Sequence, residues 1–371
     1  MDTTLFSTSK IVTATSLLIA AFLIVLVMIY GSTTLIPIVI AIGLWGLLNA
    51  MTNYIHGIKI GRFQLPKWLS LTVGLLIIIL LLLRFIGTLV QNIGGFIVEL
   101  PTYTENLNNL LLTLPQSLWI SLLGENADLS VGLVEQLFTL AADYFSSSLT
   151  TFASSAANLA TNALYIIVYV IFLLLEQGTF ATKAHNMFTD NAQRAEFREI
   201  LDSINQQVQT YVAVKTLVSL MTGIISYIIM WLFGLDYAII WAILIFILNY
   251  IPNIGSIIAV IFPVLMGLLQ FGNFATVGGL LVALGVVQLA IGNFIEPRLM
   301  GNQLNISSFV VLVALGVFGS IWGIAGMFLS VPLTVVIMII LSHFDATRFI
   351  AVMLSGDGIV YGVEAAADVP G

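Results

Sequence analysis

Residues 237–269 read YAIIWAILIFILNYIPNIGSIIAVIFPVLMGLL, without one charged side chain. A helix rises about 1.5 Å per residue and a bilayer core is about 30 Å thick, so one crossing takes about 20 apolar residues. This stretch is too long for one ordinary crossing and too short for two. It carries its own interruption, Asn249-Tyr250-Ile251-Pro252-Asn253-Ile254-Gly255. Pro252 lacks an N–H and opposes a continuous helix, while Gly255 permits dihedrals that other residues avoid. A second stretch of the same kind follows at Ile306–Leu341, with Gly316, Gly319, Gly323 and Gly326 three or four residues apart and Pro332 beyond them. The expected fold is all-α: a polytopic helical membrane protein of about eight hydrophobic segments, with two interrupted or re-entrant stretches in its C-terminal half.

Uninterrupted spans are expected upstream at Ile11–Tyr30, Leu35–Met51, Leu69–Val90, Asn162–Leu175 and Val212–Phe233, and between the two broken stretches at Thr276–Phe294. Composition agrees. Of 371 residues, 60% are hydrophobic and 8% charged, against roughly 25% charged in a soluble domain. The long unbroken runs exclude the alternating segments of an outer-membrane barrel. Ile11–Tyr30, preceded by Lys10, is longer than a signal h-region and lacks a small-x-small cleavage site, so it reads as a retained span. There are no cysteines, which excludes disulfides and thiolate metal sites; no metal or cofactor is expected.

Basic residues set the orientation. Lys59, Arg62 and Lys67 follow the second span, and Lys183, Arg194, Arg198 and Lys215 follow the fourth. Between Phe85 and Thr182 there is no Lys or Arg, whereas Glu99, Glu105, Glu125, Asp128, Glu135 and Asp143 all fall there. The expectation is a multi-pass protein of the bacterial inner membrane with both termini in the cytoplasm. The net charge of −7 then reflects topology rather than a basic partner, and no nucleic acid is expected.

Five regions follow: a three-span N-terminal region (1–90), an exterior amphipathic helical insert (91–160), a fourth span with a cytoplasmic connector (161–210), a core with two broken stretches (211–345) and a cytoplasmic tail (346–371). Within the insert, Leu alternates with Asn, Ser and Thr in Tyr103–Leu114 and Leu133–Tyr144, as in short amphipathic helices divided by Pro101, Pro115 and Gly124. A packed cap or an oligomer contact is the plainest role for it.

From Thr210 onward the sequence resembles the autoinducer-2 exporter (AI-2E) family, the PerM-like permeases. The resemblance is carried by Tyr211 and Lys215, by Phe233-Gly234-Leu235-Asp236-Tyr237-Ala238, and by Tyr250-Ile251-Pro252-Asn253-Ile254-Gly255 with Pro263 beyond. Gln288, Glu296-Pro297-Arg298-Leu299-Met300-Gly301, Gly323-Ile324-Ala325-Gly326-Met327 and Ser330-Val331-Pro332 complete the ordered set. The resemblance implies a membrane transport protein, homo-oligomeric, with a pentamer as the assembly to look for. Its name reflects export of the quorum-sensing signal autoinducer-2, and other members resemble sodium–proton antiporters.

The chemistry of these residues can be read independently. Backbone groups freed at the Pro252 break cannot face lipid and must line a cavity or bury against protein. Helix ends meeting there offer N–H groups to anions and carbonyls to cations. Asn249 and Asn253 add amides suited to a polyhydroxylated solute or a sodium ion; the plain alternative is a kink that lets helices pack. Gly316, Gly319, Gly323 and Gly326 leave one helix face nearly bare, for close packing or a sliding surface. Glu296, after an apolar span, can exchange a proton, bind a cation or pair with Arg298. Lys215 and Arg84 read as side chains snorkelling to an interface, and Asp236 as a helix cap. If both broken stretches are hairpins, residues 211–345 form an inverted repeat in which one dips in from outside and one from inside. If each is a kinked span, residues 296–305 lie outside.

Three functions fit: export of a small polar solute, sodium–proton antiport, and a membrane scaffold without transport. No G-x-x-x-x-G-K-[ST] motif occurs, so active transport would draw on an ion gradient or the solute's own gradient. An intramembrane enzyme is not expected, because His56, His185 and His343 are scattered and no H-E-x-x-H or G-x-S-x-G motif organises chemistry.

Overall fold

The computed structural model describes residues 8–57, 59–60, 63–64, 66–113, 163–180, 190–301 and 305–360, with a few isolated positions besides. Pro115, Gly124 and nearly all of 133–144 lie outside the described residues. In chain order the elements are α1 (Thr8–Tyr30), α2 (Ser32–Gly57), a short hairpin of β1 (Lys59–Ile60) and β2 (Phe63–Gln64), and α3 (Lys67–Thr113). There follow α4 (Ala163–Phe180), α5 (Asn191–Phe233), α6 (Ala238–Leu248), α7 (Ile254–Phe271) and α8 (Phe274–Ala290). A π-helical turn (Ile291–Ile295), α9 (Glu296–Met300), α10 (Ser308–Ser342) and α11 (Arg348–Leu354) complete the order. The chain is a polytopic helical membrane protein: among the described residues, six helices are long and apolar enough to cross a bilayer.

The chain divides into two compact units. One comprises Met1–Gly46, Tyr165–Val208 and Asn305–Gly371; the other comprises Leu47–Leu164 and Gln209–Leu304. Each broken stretch belongs to a different unit.

In the second unit, α6 and α7 are the arms of a hairpin rather than a kinked span. Gln270, at the end of α7, accepts a hydrogen bond from the Asp236 N–H at 2.8 Å and donates to the Gly234 carbonyl at 2.9 Å. The start of one arm therefore meets the end of the other. Trp241, Ile245, Ala259, Met266, Leu280 and Leu284 fill one apolar cluster around the arms. The tip is tight: a Cβ on Gly255 would overlap the carbonyl oxygen of Leu248 and lie 2.9 Å from the Ile251 Cβ. In a continuous helix residues seven apart are about 10 Å distant, so only a reversal with no side chain at 255 brings these backbones together. Asn253 (φ 58°, ψ −58°) sits at the centre of a γ-turn closed by the Ile254 N–H on the Pro252 carbonyl at 2.6 Å. That turn is rare and strained for any residue with a side chain.

In the first unit, α10 runs through 35 residues but its Gly323 has φ 59° and ψ −139°, outside helical space. A Cβ on Gly326 would overlap the carbonyl oxygen of Phe318, eight residues earlier. Ile306, before the helix, and Leu341, near its end, both pack against the cluster that holds Met338. This too is a hairpin, with arms 308–322 and 324–342. The expected bare glycine face on one helix is therefore corrected. Gly319 and Gly326 lie on facing arms, Gly319 is covered by the Met327 side chain, Gly323 makes the turn, and Gly316 has none of the described residues within 4 Å of an added Cβ. Pro332 does not disturb the second arm, which stays helical around it; Ser330 and Thr334 hydroxyls bond the carbonyls of Met327 and Ser330.

Two further expectations change. Pro101 does not divide α3, which continues through it to Thr113. Asp236 caps no helix: α6 begins without a side-chain cap, and the Asp236 carboxylate instead accepts from the Tyr103 hydroxyl at 3.0 Å.

Candidate functional site

The buried face of α5 contains Tyr211, Lys215, Val218, Ser219, Thr222, Ser226 and Met230, which recur every three or four residues with Val218 and Ser219 side by side. This spacing makes one stripe along a helix, and the stripe is largely small or hydroxylated. Gly223 lies on it, where a Cβ would come 3.2 Å from both the Ala242 carbonyl oxygen and the Phe246 Cβ of α6. The α6–α7 hairpin (hairpin 1, with the hairpin of α10 as hairpin 2) can therefore lie close along α5. At the tip, Asn249 donates to Ser219 at 3.1 Å and Tyr250 donates to Thr216 at 2.7 Å. Thr216 in turn donates a hydrogen bond to the Val212 carbonyl at 2.6 Å. The base of the hairpin adjoins 233–236, so its tip lies some 14 to 17 residues back along α5, or roughly 20–25 Å. A re-entrant tip at that depth has crossed most of a bilayer core of about 30 Å.

Beside the tip is an ion pair. Lys215 donates directly to Glu296, with side chains 6% and 21% exposed. Glu296 reaches it through a local irregularity. The π-turn Ile291–Ile295 precedes it, and the Glu296 N–H bonds Ile291, five residues back rather than four. A π-turn adds one residue to the helical register, which offsets Glu296 from the position an unbroken α8 would give it. Pro297 follows and lacks a donor to restore the α pattern. In low dielectric each charge satisfies the other, and stripping away one partner strands the second at about 3–5 kcal/mol.

The expected pathway residues divide in two. Asn249 and Glu296 come to this region, Asn249 almost fully buried. Pro252 is half-buried in the turn, Asn253 is exposed at its apex and Gly255 is buried beneath it. Gln288 lies one turn beyond Leu284 on the buried side of α8, and its Nε2 is buried without an acceptor among the described residues. Arg298 is exposed and is not the partner of Glu296. Lys215, read from sequence as snorkelling, is that partner. Sequence reasoning also missed Thr216, Ser219 and the Tyr250 hydroxyl. One signal was available: a lysine one turn after Tyr211, in a helix otherwise apolar to residue 233, is more expensive than an interfacial one unless it is paired.

At the opposite end of hairpin 1, Tyr103 of α3 stands 3.0 Å from both Glu99 and Asp236. Burial, then hydrogen bonds to these carboxylates, push its phenol well above the ordinary range. Burial and the nearby Glu99 also push Tyr237 up to about 12. Both phenols thus serve as neutral hydrogen-bonding groups between α3 and the hairpin base. Among the described residues no cluster of three or more His, Asp or Glu is placed to hold a metal.

A family model described as "AI-2E family transporter" matches residues 17–346. The "AI-2 transport protein TqsA" of Escherichia coli is 28% identical over 88% of this chain and 90% of its own length. A Haemophilus influenzae protein named "Putative transport protein" is 30% identical over 78% of this chain and 82% of its own. A Borreliella burgdorferi protein of the same name is 34% identical over 55% of this chain and 56% of its own length.

Proposed function

Because the chain belongs to the AI-2E transporter family, we propose that it is a secondary transporter of a small polar solute, with its site at the tip of hairpin 1. The observation that carries this reading is the buried Lys215–Glu296 pair beside a re-entrant, amide-bearing turn. Charges inside a membrane are costly and mark solute or ion pathways far more often than they add stability. Asn249, Tyr250, Thr216 and Ser219 surround the pair with donors and acceptors that can exchange partners with a hydroxylated solute. Autoinducer-2 is the first solute to test, since transport of AI-2 is in the name of the E. coli relative. In the same proposal the Lys215 end of α5 faces the cytoplasm, both termini are cytoplasmic, the membrane is the bacterial inner membrane, and copies of the chain assemble with one another.

A second reading, sodium–proton antiport, rests on the same pair: the Lys215 ammonium occupies a cation position on Glu296 that a sodium ion or proton would take in turn. Proteoliposomes separate the two. Labelled autoinducer-2 and sodium are supplied in parallel under an imposed pH gradient, to the native chain and to Glu296→Gln and Asn249→Ala. Solute flux lost in both variants supports the first reading, and sodium flux lost in Glu296→Gln supports the second. Flux that persists in both variants removes the site from hairpin 1.

A further inference from the structure

The segment after hairpin 2 is not a free tail. Ser307 N–H bonds the Leu354 carbonyl, Gly356 N–H bonds that of Asn305, and Ile306 pairs with Ser355 in an antiparallel bridge. The Asn305 amide donates to Asp357 and to the Ile359 carbonyl. Ala351, fully buried, packs with Met338 and Val360. The short helix α11 is thereby strapped across the base of hairpin 2, within a turn or two of where its second arm ends.

What this foot turns outward is apolar. Phe349 is 63% exposed and Met353 75%, with Ile350 and Val352 between them; Phe344 and Ile359 flank them, also exposed. A surface helix in water shows the reverse arrangement, apolar side in and polar side out. Large apolar side chains gathered on one patch mark a surface that something covers. The patch is continuous along the chain with Ile337 and Ile340, exposed residues on the last turns of the second arm. That arm belongs to one of the helices apolar enough to cross the bilayer, so its outward side chains face lipid. Next to the patch are Asp345 and the half-buried Arg348, polar groups suited to headgroups.

We propose that residues 344–359 form an interfacial foot, with Phe344, Phe349, Val352, Met353 and Ile359 inserted at the boundary between headgroups and acyl chains. The occupant is the lipid surface itself. The foot holds the base of hairpin 2 at a fixed depth, and it does so whichever solute the protein carries.

The chain has no cysteine, so single cysteines can report the environment directly. Met353→Cys and Phe349→Cys, each carrying an NBD fluorophore, are compared with Asp345→Cys in liposomes of phosphatidylethanolamine and phosphatidylglycerol, using variants whose melting matches the native protein. The expected result is blue-shifted emission at 353 and 349, lost on adding lipids with a nitroxide near the headgroup and unaffected by aqueous iodide. The 345 probe should respond to iodide. Iodide quenching at 353 and 349 overturns the proposal by placing the patch in water. Protection from both quenchers also overturns it, because a second copy of the chain then covers the patch.

Discussion

The two hairpins reach the same backbone solution with different chemistry at their tips. In each, a glycine (Gly255 or Gly326) lets the returning arm lie against a carbonyl seven or eight residues back, Leu248 or Phe318. In each, the side chain four residues before that glycine, Ile251 or Trp322, fills the inside of the turn. An amide side chain serves each base differently: Gln270 joins the two arms of hairpin 1, whereas Asn305, just before hairpin 2, bonds the segment 356–359 that follows α11. The tips then diverge. Hairpin 1 ends in Asn249, Tyr250 and Asn253, bonded to hydroxyls of α5 and close to an ion pair. Hairpin 2 ends in Ile321, Trp322, Gly323 and Ile324, and its polar tether is the Trp322 indole donating to the Met28 carbonyl of α1. The reversal itself needs only a glycine. The polar groups are therefore an addition specific to hairpin 1, which is why the candidate site is placed there.

The largest effect should come from the shared device. Gly255→Ala and Gly326→Ala each drive a methyl carbon into a backbone carbonyl oxygen that cannot turn aside, a deeper overlap than the core overpacking that typically costs about 1–3 kcal/mol and occasionally more. Both variants should lose the monodisperse peak on size exclusion in mild detergent, or melt far below the native chain. If either melts like the native protein, that hairpin is not closed as described and the likeness between the two fails.

The next effect belongs to hairpin 1 alone. Lys215→Met leaves the Glu296 carboxylate buried without its cation and should destabilise by about 3–5 kcal/mol. Glu296→Gln in the same chain should restore most of that loss, because both charges are then gone. A thermal-melting double-mutant cycle measures the coupling. A pair that does no more than hold helices together would leave solute flux intact in the stable double variant. Loss of flux with stability recovered assigns the pair to transport.

Much of this comparison was legible in the sequence, but not all. Hydropathy located the helices, and Pro252 and Gly323 located the breaks. A break reports that a helix stops. It does not report which way the chain goes next. Direction is decided by contacts such as Gln270 with Gly234, between residues with no pattern linking them. The same limit hid the ion pair. Arg298, two residues from Glu296, is one partner that the sequence offers, yet on a helix residues two apart point to different sides. The partner came from 81 residues away, where the only sequence signal was a lysine in an apolar run.

The smallest effects test the turns themselves, and they should differ in sign. Asn253 holds φ 58° with a side chain present, a conformation that glycine adopts freely. Asn253→Gly should therefore stabilise hairpin 1, or leave it unchanged, as about 1 kcal/mol of relieved strain works against the added freedom of the unfolded chain. Gly323 holds φ 59° and ψ −139°, a region closed to residues with a Cβ, so Gly323→Ala should cost about 1–3 kcal/mol even though none of the described residues lies within 4 Å of the new methyl. The open space makes this a clean test, because any destabilisation must come from the backbone and not from a clash. Melting temperatures that fall for both variants would mean that the Asn253 side chain contributes more than its strained backbone takes away, strengthening its case as a solute contact. A rise for Asn253→Gly and a fall for Gly323→Ala would leave Asn249 and the Lys215–Glu296 pair as the core of the site.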